Sequence, residues 1–190
     1  PILEPVRRPP TMRELMSHTA GFGYGLSDKH PVDQMFREQR VLGSSSLQEM
    51  TAKVASIPLI YQPGEQWSYS VAVDLQGYVV EKLSGQTLGQ FFESRIFKPL
   101  KMTDTAFSTG QAKAPRLAAV YIGNQETGKI EEAKTLFGSP VPTFVSKPGM
   151  ESGGGGLVST TTDYARFAQM IVNGGQLGGV RILAPASVEL

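Results

Sequence analysis

Apolar residues along this chain recur every three or four positions in several short blocks, each opened by a polar capping residue and closed by glycine or proline. Thr11-Met-Arg-Glu14 has the spacing of a capping box, which predicts a short helix through Leu15 and Met16 to about His18. Thr19 to Gly25, "TAGFGYG", breaks it, because three glycines in five positions permit turns that other residues resist. Ser46-Leu-Gln-Glu49 repeats the capping signal, and Leu47, Met50 and Val54 continue it as a helix that ends before Pro58. A third helix is expected after Tyr69, with Val71, Leu75, Val79 and Leu83 as one apolar stripe and Gly85 as its C-terminal cap. Thr87-Leu-Gly-Gln90 opens a fourth, carrying Phe91 and Ile96 toward Pro99.

The texture changes after that. Arg116 to Gly123, "RLAAVYIG", reads as a strand, and "NQETGKI" as a turn into a short partner. Lys134 to Gly149, with prolines at 140, 142 and 148, reads as a long irregular loop of the kind that often carries function. Thr160-Thr-Thr-Asp163 then caps a helix whose buried face is expected to be Tyr164, Phe167, Ala168 and Ile171, stopped by Gly174-Gly175. The expected organisation is a mainly helical part over residues 1–115, followed over 116–190 by short strands, the loop, the glycine run and a returning helix.

Composition narrows the chemistry. A chain of 190 residues, 40% hydrophobic, can bury one ordinary core. Eighteen Lys and Arg against 17 Asp and Glu give a net charge of +1 with no basic patch, which argues against nucleic-acid binding. No apolar run approaches the roughly 20 residues needed to span a bilayer. Zero cysteines exclude disulfides and thiolate metal sites, and the two histidines, His18 and His30, leave little for a zinc site or a Ser-His-Asp triad. No metal or organic cofactor is expected. Both ends read as interior sequence, from "PILEPVRRPP" to a helix start at Ala184-Pro185, so the chain is expected to be a segment of a longer protein.

The candidate chemistry lies at "PGEQWSYS", where a Pro-Gly turn, Trp67 and Tyr69 run into the third helix. Two readings stand for the aromatics: they seal the helix mouth, or Tyr69 is a reactive hydroxyl on a rigid shoulder. A phenol titrates near 10, so it relays protons near neutrality only beside groups that stabilise the phenolate. Ser70 is a candidate N-cap, Asp74 a first-turn carboxylate suited to the helix dipole, and His18 an imidazole suited to the carbonyls ending the first helix. Gly153 to Gly156 could bring backbone close to a ligand, but no phosphate-binding or G-x-S-x-G pattern surrounds them.

Taken in order, "RRPPTMRELMSHTAGFGYG", "YQPGEQWSYSVAVDLQGYVVEKLSGQTLGQFF", "IFKPLKMTDTAF" and "GGGGLVSTTTDYARFAQMIVNGGQLGGVRIL" resemble the serine β-lactamase-related hydrolases: class C β-lactamases, D-Ala-D-Ala carboxypeptidases and family VIII carboxylesterases. The resemblance implies a mixed α and β, β-lactamase/transpeptidase-like fold, with a helical domain and part of an antiparallel-sheet domain. It also implies a site in which a serine of S-x-x-K attacks an acyl carbon, its lysine assists, and a tyrosine relays the proton, the part that falls to Tyr69. Where lactamases and peptidases have Y-x-N, this chain has Tyr69-Ser70-Val71, and its Y-S-x-x-x-D form ending at Asp74 is similar to the family VIII esterases. A small ester is therefore the implied substrate, with Tyr24 as an aromatic of the acyl pocket and Gly154 and Gly155 in the segment passing the site. No serine here has a lysine three residues on, and no K-T-G or W-G-G triplet occurs, so the nucleophile and the oxyanion-side strand are expected outside the chain. Oligomeric state and compartment are not legible.

Overall fold

A computed structural model describes residues 3–125, 127–136 and 139–190 of the chain. Pro1, Ile2, Glu126, Phe137 and Gly138, which fall within segments read above, lie outside the described residues.

The first half is helical. Helix α1 (Met12–Met16) carries the expected capping box: the Glu14 amide donates to Thr11 Oγ1 and the Thr11 amide to the Glu14 carboxylate. Helix α2 (Pro31–Glu38) is absent from the pattern above, although Pro31 at its first position and the one-turn spacing of buried Val32 and Phe36 are legible signals. Helix α3 (Leu47–Ala55) starts where Ser46 caps the Glu49 amide and buries Leu47, Met50 and Val54 as anticipated. Helix α4 (Ala72–Ser84) ends on Gly85, whose φ of 68° is the left-handed cap glycine favours.

The α4 stripe is only half right. Val71 and Leu75 are buried, whereas Leu83 is 84% exposed. Four-residue steps overshoot a helical turn by about 40° each, so three steps rotate the stripe by roughly 120°, out of the core. Helix α5 (Leu88–Phe92) opens with the Thr87/Gln90 capping box, widens into a π turn over Glu93–Phe97 and closes with α6 (Lys98–Leu100). The core of this half is built from α1 to α4, including Leu15, Phe36, Met50, Val54, Val71 and Leu75, with Leu88 and Phe107 closing it.

Among the described residues, the second half holds three small antiparallel hairpins and one long helix. Strand β1 (Tyr121–Gly123) pairs with β2 (Ile130–Glu132) in the register Tyr121↔Glu132. The strand is shorter than expected: Arg116 ends a 3-10 helix over Gln111–Arg116 that contains Pro115, and pairing with β2 begins only at Tyr121. Within the proline-rich stretch, β3 (Thr135–Leu136) pairs briefly with β4 (Ser139–Pro140), and the amides of Thr109 and Gly110 hold its far end through the carbonyls of Phe144 and Val145. Helix α7 (Thr161–Val172) is capped by Thr160 and buries Asp163 and Met170, with Phe167 and Ile171 half-buried, while Tyr164 and Ala168 face outward. This corrects the expected face: Asp163 is held inward by the Asp104 amide at 2.7 Å and the Thr105 hydroxyl at 2.9 Å, which turns Tyr164 to the surface. Met170, Phe97, Leu100 and Met102 form a second core, so α7 packs on the end of the α5–α6 helix.

A third hairpin, β5 (Gln176–Leu177) with β6 (Val180–Arg181), turns on Gly178 and Gly179, both at positive φ, and α8 (Pro185–Glu189) follows. Among the described residues, no helix is long and apolar enough to cross a membrane.

Candidate active site

The segment from His18 to Gly23 runs beside residues 60 to 71 and holds them by backbone hydrogen bonds. The amides of Ile60, Gly64, Ser68 and Val71 donate to the carbonyls of Gly21, Thr19, His18 and Gly23, at 2.7 to 3.1 Å. The contact is close enough that a Cβ on Gly21, at φ +86°, would stand 2.2 Å from the Tyr61 carbonyl oxygen. The Pro63-Gly64 turn is braced from the other side by Arg8, whose guanidinium donates to the Pro63 carbonyl and pairs with Glu14. The glycine loop read from sequence as a break is thus the cradle that fixes the approach to Tyr69.

Tyr69 stands on this shoulder 47% exposed. Its ring stacks on the His18 imidazole, with centroids 4.9 Å apart and planes inclined by 22°, and the Tyr24 ring meets it edge-on at 5.4 Å. Trp67, 65% exposed, adds an edge contact to His18 at 6.2 Å and so belongs to the surface of the cluster. Tyr24 is held by Asp33, which accepts from the amides of Tyr24, Gly25 and Ser27 at 2.8 to 3.0 Å. Burial works against the Asp33 charge, but those three amides outweigh it and keep the carboxyl below its usual range. The Tyr24 phenol is pushed up, first by burial and then by the charges of Asp74 and Tyr69. Tyr24 therefore presents a neutral ring and hydroxyl to Tyr69 at neutral pH.

Ser70 is 2% exposed and is not the N-cap of α4, which is Val71 and makes no side-chain cap bond. The Ser70 hydroxyl lies 3.1 Å from His18 Nδ1, and the Ser70 amide donates to the same nitrogen at 3.2 Å. The separation is that of a nucleophile and its base, but a buried hydroxyl cannot meet an acyl carbon, so the pair is a brace. His18 likewise lies two residues beyond the end of α1 at φ +57°, and its ring serves Ser70 rather than the helix carbonyls.

Asp74 is 1% exposed and ties α4 to the glycine run. Its Oδ1 accepts from the Ser152 hydroxyl in a short hydrogen bond and from the Gly154 amide at 3.2 Å. Three of the four glycines have an internal reason. A Cβ on Gly153 would stand 2.2 Å from the Val73 carbonyl oxygen, one on Gly154 2.9 Å from Asp74 Oδ2, and Gly156 has a φ of +90°. Gly155 has none: a Cβ there meets nothing within 4 Å, and the residue borders a cavity of about 240 Å³ lined by Phe107, Phe144, Pro148 and Met150. Helix α4 answers with Gly77, where a Cβ would come 3.3 Å from the Gly153 Cα.

The structure thus brings Tyr69, Ser70, Trp67 and Tyr24 into one cluster and places Asp74, Gly154 and Gly155 at the junction of α4 with the glycine run. Asp33, Ser152 and the bracing role of His18 were not anticipated, because each acts through partners 6 to 78 positions away that no local pattern encodes. A cavity of about 580 Å³ between the N-terminal segment and residues 54–62 shares no lining residue with this cluster. Among the described residues, no group of three His, Cys, Asp or Glu side chains is placed to hold a metal.

The pattern of the Beta-lactamase family matches residues 2–190, and the chain belongs to that family. It is 34% identical over 187 residues to Protein Rv1367c of Mycobacterium tuberculosis, covering 98% of this chain and 44% of that protein. It is 29% identical over 190 residues to the lovastatin esterase of Penicillium rubens, covering 100% and 45%. With a putative D-alanyl-D-alanine carboxypeptidase of Escherichia coli it shares 32% identity, covering 93% and 42%. Among solved structures, EstCE1, "a hydrolase with promiscuous acyltransferase activity", superposes with a TM-score of 0.78 at 28% identity, covering 97% of this chain and 50% of that one. The fold is therefore β-lactamase/transpeptidase-like, in a family with esterase, acyltransferase and carboxypeptidase relatives. The chain spans less than half the length of these curated relatives.

Proposed function

We propose that the full-length protein is a serine hydrolase that cleaves small esters through an acyl-enzyme, and that this chain supplies its proton-relaying tyrosine. The observation that carries the reading is the half-exposed Tyr69 phenol clamped between the His18 and Tyr24 rings on a hydrogen-bonded shoulder. Such a group exchanges a proton with a leaving group without first paying reorganisation, which is how positioned acid–base residues act. Residues 1–115 belong to the helical domain and 116–190 lead back toward the sheet domain. Ser70 and Asp74 support the shoulder, while Tyr24, Trp67, Gly154 and Gly155 face the substrate side. The nucleophilic serine with its lysine and the oxyanion donors come from the rest of the protein.

Esters are preferred to β-lactams or peptides because of position 71. Val71 is fully buried in the α1–α4 core and offers no hydrogen bond to a substrate amide. A non-catalytic scaffold is the competing reading, favoured by the lack of S-x-x-K within these residues. The test uses the full-length protein and a p-nitrophenyl ester of a short acid. Tyr69→Phe is expected to lower kcat by about 10²- to 10⁴-fold. Turnover close to that of the unaltered protein would remove Tyr69 from the mechanism, and no turnover by the unaltered protein would favour the scaffold.

A further inference from the structure

We propose that His18 is a positioning residue for the Tyr69 phenol, a role that rests on the acyl-transfer reading above. One residue grips three consecutive ones: the His18 carbonyl accepts from the Ser68 amide at 2.9 Å, its ring face stacks on Tyr69 at 4.9 Å, and its Nδ1 accepts from the Ser70 amide at 3.2 Å. The phenol is therefore located by its own ring and by the residues on either side of it, all referred to a single residue, two of the three contacts through its imidazole.

The backbone points the same way. His18 has a φ of +57°, just beyond the end of α1, where glycine or asparagine is the usual choice and other residues are strained. Glycine would relieve the strain but would remove the ring. The tautomer follows from the donor. A backbone N–H can only donate, so Nδ1 presents its lone pair to the Ser70 amide, and the tautomer that fits this geometry carries its N–H at Nε2. In that tautomer the Ser70 hydroxyl, 3.1 Å from Nδ1, adds a second donor, and the ring cannot turn without losing both.

Two variants separate the ring from the acceptor in the full-length protein. His18→Asn tolerates positive φ and keeps an oxygen able to accept from the Ser70 amide, but has no plate for Tyr69. His18→Phe keeps a plate and loses the acceptor. Both are expected to lower kcat on the short-chain ester by about 10- to 100-fold, the scale of an ångström-level misplacement, with KM changed less than threefold. With ¹³Cζ-labelled tyrosine, the Tyr69 resonance is expected to shift or broaden in both, and ¹⁵N spectra of the unaltered protein are expected to show a lone-pair Nδ1 and a protonated Nε2 at neutral pH. A protonated Nδ1, or a Tyr69 resonance unmoved in His18→Asn, overturns the proposal even if a variant folds poorly, since the ¹⁵N measurement needs no variant. These spectra do not depend on turnover. If Tyr69→Phe stays active while they behave as expected, the acyl-transfer reading fails and the contact stands as structure alone.

Discussion

Gly153→Ala is the substitution for which the structure gives the firmest magnitude. A Cβ at this position would lie 2.2 Å from the Val73 carbonyl oxygen, 3.1 Å from its carbon and 3.3 Å from the Asp74 Cα, all backbone atoms of α4. Carbon–oxygen contacts settle at about 3.3 Å or more, so the glycine run must retreat by roughly 1 Å. The Gly154 amide, now 3.2 Å from Asp74 Oδ1, would then pass beyond hydrogen-bonding distance. Overpacking of this kind costs about 1–3 kcal/mol, and weakening the donors to a carboxylate that is 1% exposed costs a further 1–3 kcal/mol. The lower entropy of an unfolded alanine returns about 0.4–1 kcal/mol, leaving a net loss of about 1–5 kcal/mol. Urea unfolding followed by far-UV circular dichroism measures it, with Gly155→Ala as the matched control. That control meets no atom within 4 Å and is expected to be unchanged or up to about 1 kcal/mol more stable. A Gly153→Ala loss below about 0.5 kcal/mol, or one equal to that of Gly155→Ala, would refute the close-packing argument.

Acid should weaken the brace under the Pro63-Gly64 turn. The Glu14 carboxyl is pulled from 4.5 to about 2, first by its hydrogen bond from the Arg8 guanidinium and then by the Thr11 amide. Because the folded value is the depressed one, its contribution is present above pH 4.5 and disappears as the pH falls through 2. The stability difference between the unaltered protein and Arg8→Met should shrink over that window, and a difference constant from pH 7 to 2 would contradict the assignment. Met170→Ala empties a fully buried site in the second core and should destabilise by about 2–5 kcal/mol in the same urea assay. A loss under 1 kcal/mol would mean that the α7 contact with the α5–α6 helix is not a packed core.

Helix starts were the most legible part of this chain. At Thr11, Ser46, Thr87 and Thr160 a hydroxyl three positions ahead of a side-chain or backbone partner closes a local hydrogen bond, so the signal and the structure share one short stretch. Helix faces were less legible. Leu83 and Tyr164 fit an apolar period yet lie in solvent, because burial depends on which neighbour covers a face and, in α7, on where Asp163 finds its donors. The hairpin at Gly178-Gly179 and helix α2 carried turn and proline signals that the apolar period did not weigh.

The amino-acid order by itself determined the family motifs and marked Tyr69, since a phenol after a Pro-Gly turn at a helix mouth is a local fact, and so is the valine at position 71. What surrounds that phenol was decided by contacts between distant positions. His18 lies 52 residues from Ser70, and Ser152 lies 78 residues from Asp74. Only when the chain closes do an imidazole, an edge-on tyrosine and a glycine run converge on one shoulder. The physical reason is that stacking, short backbone approach and carboxylate solvation act over a few ångströms in space and leave no trace in spacing along the chain.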